Sequence, residues 1–161
     1  MQHLALNLLP FQSYLRFQEI EGRNYLWDKF RKKYILVQPE ELVRQLLLIY
    51  LTEKKEFPLL RIALEKTLII NQRRKRFDAL VYDDKFKPLL LIECKAPDVH
   101  INFSTIEQIA NYNSVLKVPF LILSNGIKTY AMQWDAVQEQ FIYLAELPFY
   151  KNLLTTYNSL P

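Results

Sequence analysis

Apolar positions follow two periods along the chain. In PEELVRQLLLIYLTEKK (39–55), Val43, Leu46, Leu47 and Tyr50 recur at helical spacing, and Leu42, Leu48, Ile49 and Leu51 widen that stripe. The pattern predicts a largely buried helix. Pro39 suits its first position, Glu40 and Glu41 suit the positive end of its dipole, and Lys54 and Lys55 suit the other end. A second helix is predicted over STIEQIANYNSVLK (104–117). There Ser104 and Glu107 have capping-box spacing, and Ile106, Ile109, Ala110, Asn113 and Leu116 form the inward stripe.

Between and after the helices the period shortens to two. RFDALVYD (76–83) alternates, with Phe77, Ala79 and Val81 on one side and Asp78, Leu80 and Tyr82 on the other. The polar loop DDKFK leads to a strand in PLLLIECKA (88–96). PFLILS (119–124) is apolar throughout, as in a strand buried on both faces. Asn125-Gly126 predicts a tight turn into KTYAMQW (128–134). LLRIALEKTLII (59–70) predicts one more strand before these, and SYLRFQEI (13–20) and KYILVQ (33–38) are candidate short strands. From residue 39 the order is helix, three strands, helix, two strands. It predicts an α/β fold with a mixed central sheet flanked by helices. The length of 161 residues suits a single domain spanning 1–161, with its core at about 39–134.

Composition narrows the chemistry. Only Gly22 and Gly126 are glycines, so no Gly-rich phosphate loop can be written. One cysteine, Cys94, and two histidines, His3 and His100, leave no internal disulfide and argue against zinc. The N-terminus lacks the basic and apolar segments of a signal peptide, and the longest apolar run, LLLIYL, is far short of a membrane span. A cytoplasmic setting without membrane contact is the expectation. The net charge of +4 is modest, but RKK (31–33) and RRKR (73–76) concentrate it. Taken singly, such runs are most often solvated surface.

LLLIECKAP (89–97) is the unusual stretch, because an apolar strand ends in two opposite charges. Glu93 and Lys95 are two apart and project from one face. Antiparallel pairing about Lys85 and Phe86 places Asp78 opposite Glu93. Two opposed carboxylates repel across a sheet, and a divalent cation between them removes the penalty. An oxygen-only ligand set points to magnesium or manganese. Simpler readings exist for each residue: Asp78 paired with Arg76 or Lys95, and Glu93 paired with Lys95. Because the two charges repel, Asp78→Asn is expected to leave the metal-free protein as stable as the parent or slightly more so.

Asp78 followed by Glu93-Cys94-Lys95 on the next strand resembles the active site of the PD-(D/E)xK nucleases. Gln108 and Tyr112 add a QxxxY pair on the following helix, similar to RecB-type nucleases. With QPEELVRQLLLIYL, RFDALVYD, LLLIECKAP and QIANYN, residues 30 to 130 look most like the N-terminal nuclease domain of type I restriction enzyme R subunits. The resemblance implies a restriction-endonuclease-like fold and metal-dependent phosphodiester hydrolysis, with DNA the expected substrate. Asp78, Glu93 and the backbone carbonyl of Cys94 would hold Mg²⁺ or Mn²⁺, with Glu41 a candidate additional ligand. Lys95 would orient or help deprotonate the attacking water, and Gln108 and Tyr112 would position the phosphate. Arg73, Arg74, Lys75 and Arg76 would hold neighbouring phosphates. Arg44 would contact phosphate or only Glu40 and Glu41. Type I R subunits continue into a helicase-like motor for which this length leaves no room, so a separate motor or restriction-modification subunit is a candidate partner. The alternative is a non-catalytic nucleic-acid-binding or partner-docking module that keeps the fold.

Overall fold

A computed structural model describes residues 3–65, 67–70 and 73–158, and for residues 68, 70, 73–75, 108, 111, 112, 114 and 158 the backbone alone. Strands β1 (Phe17–Ile20), β2 (Arg23–Asp28) and β3 (Lys33–Leu36) form an antiparallel sheet ahead of helix α1 (Pro39–Lys54). β4 (Ile62–Leu64) follows, then a hairpin of β5 (Thr67–Ile70) and β6 (Arg73–Arg76), then β7 (Ala79–Tyr82) and β8 (Pro88–Cys94). Helix α2 (Phe103–Leu116) leads to β9 (Phe120–Ser124), β10 (Thr129–Asp135), β11 (Gln140–Tyr143) and helix α3 (Tyr150–Asn158).

The central sheet has six strands in the order β11-β10-β9-β8-β7-β4. Its one parallel pair is β8 with β9, joined through α2, and the other pairings are antiparallel. The mixed sheet flanked by helices is the predicted class. Alternation sorts its side chains into two layers. Ala79, Val81, Leu90, Ile92, Cys94 and Ile122 pack with Val43, Leu47 and Leu51 of α1 and Leu153 of α3. Leu80, Leu91, Leu121 and Met132 pack with Ile106 and Ile109 of α2. β9 is buried along its whole length, as its continuous apolar run predicts.

The β7–β8 register pairs Ala79 with Ile92, Leu80 with Leu91 and Val81 with Leu90, which is the predicted pairing. At the Asn125 turn, Gly126 has φ +83°, and a Cβ there would stand 3.1 Å from Val43 Cγ2. α1 runs almost as predicted. α2 starts earlier than the Ser104–Glu107 pattern implies. Its cap is Asn102, whose Oδ1 accepts from the Thr105 N–H at 3.1 Å in a capping box with Thr105.

Elsewhere the expectations need correction. Residues 59–70 are not one strand: a 3-10 turn at Leu59–Arg61 precedes β4, and Glu65, at φ +50°, breaks the run so that β4 and β5 join different sheets. Residues 13–20 are also divided, because Leu9–Tyr14 is a 3-10 helix and β1 begins only at Phe17. β2, β11 and α3 were not expected.

Candidate active site

The site forms where β7 and β8 end beside the first turns of α1. Asp78 immediately precedes β7, and its carboxylate closes the end of the ladder: Oδ2 accepts from the Cys94 N–H at 2.5 Å. Its other oxygen, Oδ1, accepts from Arg44 Nη1 at 3.1 Å. Glu93 sits opposite. Lys95 Nζ donates to Glu93 Oε1 at 2.8 Å, while Glu93 Oε2 is buried without a hydrogen-bond partner among the described residues. Asp78 and Glu93 are 8% and 7% exposed, so their charges interact with little solvent screening.

The electrostatics follow from this burial. Desolvation, reinforced by the charge of Asp78, pushes Glu93 up to about 7 against the pull of Lys95. Burial drives the Cys94 thiol upward too, with Asp78 adding to it. For Lys95, burial alone would favour the neutral amine, but the hydrogen bond and charge of Glu93, with Glu40 and Asp78 behind, outweigh it and raise its pKa. Lys95 therefore stays an ammonium at neutral pH. Its backbone N–H donates to the Ser124 carbonyl at 2.8 Å, which fixes the residue beyond the end of β8.

Several predicted partners are resolved. Of the simpler pairings, Glu93 with Lys95 is present. Asp78 pairs with Arg44, not with Arg76 or Lys95. Asp78 therefore has a cationic partner, which removes the premise behind the expectation that Asp78→Asn costs the metal-free protein nothing. Arg44 is buried between Asp78 and Glu41, so of its two expected roles the contact with α1 carboxylate is the one seen. Glu41 is held by Arg44, by Arg31 Nη1 at 3.4 Å and by Gln45 Nε2 at 3.0 Å. Arg31 also lies 3.2 Å from Asp28 Oδ2 and 3.1 Å from Glu65 Oε1, and Arg76 lies 3.4 Å from Glu65. Arg31, the first of one basic run, is thus tied into a partly buried ion-pair network, whereas Arg76, the last of the other, reaches Glu65 from an exposed position. The side chains of Arg73, Arg74, Lys75, Gln108 and Tyr112 lie outside the described residues. Their backbones place the three cations on β6, and Gln108 and Tyr112 on α2, the helix packed on the face to which Glu93 projects.

Sequence reading missed two contributors. Glu40, in the first turn of α1, adds a charge that raises the pKa of Glu93, Cys94 and Lys95. Its place in a helical first turn hid this, since the dipole alone accounts for a Glu there. Asn125 fastens the loop after Lys95: its Nδ2 donates to the Val99 carbonyl at 3.0 Å, and its Oδ1 accepts from the Ile127 and Lys128 N–H groups. The Asn-Gly pair signalled only the turn.

The residues present fit a hard divalent cation. Their side-chain donors are carboxylate oxygens, and the orphaned Glu93 Oε2 needs a cation or a proton. Among the described residues no group of three or more His, Cys, Asp and Glu side chains could hold a metal ion. A ligand set here would therefore need a backbone carbonyl, water or substrate besides Asp78 and Glu93.

Two buried carboxylates and an ammonium thus meet at one end of a mixed sheet. The chain belongs to the family of type I restriction enzyme R protein N termini (HSDR_N), whose pattern matches residues 39–148. No protein of curated function matches the sequence. Among solved structures, a fragment described as an HsdR subunit of a type I restriction enzyme from Vibrio vulnificus YJ016 is similar at 19% identity and a TM-score of 0.41. That match covers 60% of this chain and 18% of the other. At that similarity the neighbour has no bearing on the site.

Proposed function

We propose that this chain is a PD-(D/E)xK nuclease that hydrolyses phosphodiester bonds of DNA with Mg²⁺ or Mn²⁺. The observation that carries the reading is the buried Asp78–Glu93 pair with Lys95 held against it and one Glu93 oxygen unpartnered. Family membership supports it, because the family is that of a restriction enzyme subunit.

Asp78, Glu93 and the Cys94 carbonyl would hold the cation. Bound there, it supplies a lowered pKa for the attacking water and positive charge at the leaving oxygen. Lys95, held against Glu93, would orient or help deprotonate the attacking water and offset charge gathering on the phosphoryl oxygens. Arg44 fixes the Asp78 carboxylate and leaves Glu93 as the freer of the two. Gln108 and Tyr112 would steady the substrate phosphate from α2, and the β6 cations would hold its neighbours. The family also carries the proposal that the chain works beside a motor or other restriction-modification subunits, in the cytoplasm.

The test is incubation with plasmid and linear DNA in Mg²⁺, in Mn²⁺ and in EDTA. Cleavage should require the metal, and Lys95→Ala should abolish it while binding to DNA persists. DNA binding without cleavage under any of these conditions would leave the non-catalytic module as the better description.

A further inference from the structure

A second candidate site lies between the residues ahead of the matched span and helix α1. Residues 1–38 contain Arg16, Arg23, Lys29, Arg31, Lys32 and Lys33 against Glu19, Glu21 and Asp28, so most of the net charge of +4 is here. The register of the three-stranded sheet puts Tyr25 beside Leu36 and Trp27 beside Tyr34 on one face, and the Trp27 and Tyr34 rings meet edge-on at 5.2 Å. Where this sheet meets α1 there is a cleft of about 240 Å³, lined among others by Tyr14, Arg16, Trp27, Lys29, Gln45 and Ile49.

The lining has two kinds of chemistry. Tyr14, 54% exposed, and Trp27 supply aromatic rings. Arg16 is exposed and has no ion-pair partner among the described residues. Lys29 Nζ is loosely held, 3.3 Å from Thr52 Oγ1 and 3.4 Å from Glu53 Oε1, and an exposed pair of that kind is worth little. Aromatic rings beside such cations are what a base with its phosphate requires. An acidic peptide would use the cations but leave the rings without a stacking partner. The volume lies below the roughly 300–1,000 Å³ of pockets that enclose a whole small molecule, so the cleft suits one unit of a polymer. Its wall also adjoins the first site: Gln45 donates to Glu41, Glu41 pairs with Arg44, and Arg44 pairs with Asp78.

We propose that this cleft holds one nucleotide of single-stranded nucleic acid, with the base against Trp27 and Tyr14 and the phosphate between Arg16 and Lys29. The proposal rests on the nucleic-acid reading above but not on cleavage. The chain has two tryptophans, so a Trp134→Phe background leaves Trp27 as the reporter. In EDTA, this protein is titrated with a short oligo(dT), with duplex of equal length and with poly-L-glutamate, following Trp27 emission and oligonucleotide anisotropy. Oligo(dT) should quench Trp27 to saturation and poly-L-glutamate should not. Tyr14→Ala and Arg16→Ala, both at exposed positions, should leave the melting temperature unchanged and weaken oligo(dT) binding about five-fold or more, with a smaller effect on duplex. Oligo(dT) binding without quenching, and unaltered in both variants, would overturn the cleft and leave the nuclease reading intact. Absence of any binding to either nucleic acid would overturn both. Equal quenching by poly-L-glutamate would reassign the cleft to acidic protein partners.

Discussion

Glu93 is the residue most altered by its surroundings. Its carboxyl rises from an ordinary 4.5 to about 7 because burial and Asp78 both disfavour the anion. An acid whose folded pKa is raised binds its proton more tightly in the native state, so its contribution to stability is complete below pH 4.5 and is lost as pH rises through 7. The size of the shift sets that loss at roughly 3 kcal/mol. Lys95, whose pKa is raised from 10.5, does not titrate in this window. Glu93→Gln keeps the shape of the protonated form. In EDTA it should match the parent at pH 5 and exceed it in stability at pH 8, as read by urea unfolding at the two pH values. Equal differences at both would mean that the Glu93 charge is not the cause.

At the scale of elements, α1 contributes to the site through Arg44, which compensates Asp78 from 34 residues away in sequence. Removing one partner of a buried ion pair strands the other, at a cost of about 3–5 kcal/mol. Arg44→Met should destabilise the protein by that order in EDTA, and by less in an Asp78→Asn background, where only the loss toward Glu41 remains, as a double-mutant cycle by urea unfolding would measure. Additive effects would show that the pair does not act as a unit. That partnership was not legible in the sequence, because helical periodicity tells which residues share a face and not which distant carboxylate one of them meets. The β7–β8 pairing was legible from Ala79 to Val81, since alternation and a short polar loop leave little freedom. Two departures were not legible: the register shift after Val81, where Tyr82 pairs with Pro88, and the break before Ala79 that puts Phe77 in the layer of Leu80. The break at Glu65 was not, because its left-handed backbone sits in a run of β-prone residues that gives no turn signal. α3 was missed for a similar reason: Thr155 and Thr156 weaken its helical signal, and the burial of Tyr150 and Leu153 against the sheet supplies what propensity does not.

For the whole molecule, the site is held from α1, from the end of β9 and from the N-terminal sheet at once. The chain of contacts from Asp28 through Arg31, Glu41 and Arg44 to Asp78 joins β2 to the edge of the site, so the carboxylates are positioned before any ligand arrives. A cation that binds such a preformed pair binds the folded state alone. At ten times its dissociation constant it adds about 1.4 kcal/mol, a rise of roughly 3–6 °C in melting temperature for a chain of this length. Mn²⁺ should raise the parent by that amount at pH 8, where Glu93 is ionised, and by less at pH 6, where the proton competes for the same oxygens. Glu93→Gln should melt higher than the parent in EDTA and gain little from Mn²⁺. Asp78→Asn should melt lower in EDTA, having lost its pairing with Arg44, and should also gain little. Differential scanning fluorimetry of the three proteins, with EDTA and with Mn²⁺ at both pH values, separates these outcomes. A parent that does not respond to Mn²⁺ at pH 8 would mean that Asp78 and Glu93 serve only as partners of Arg44 and Lys95.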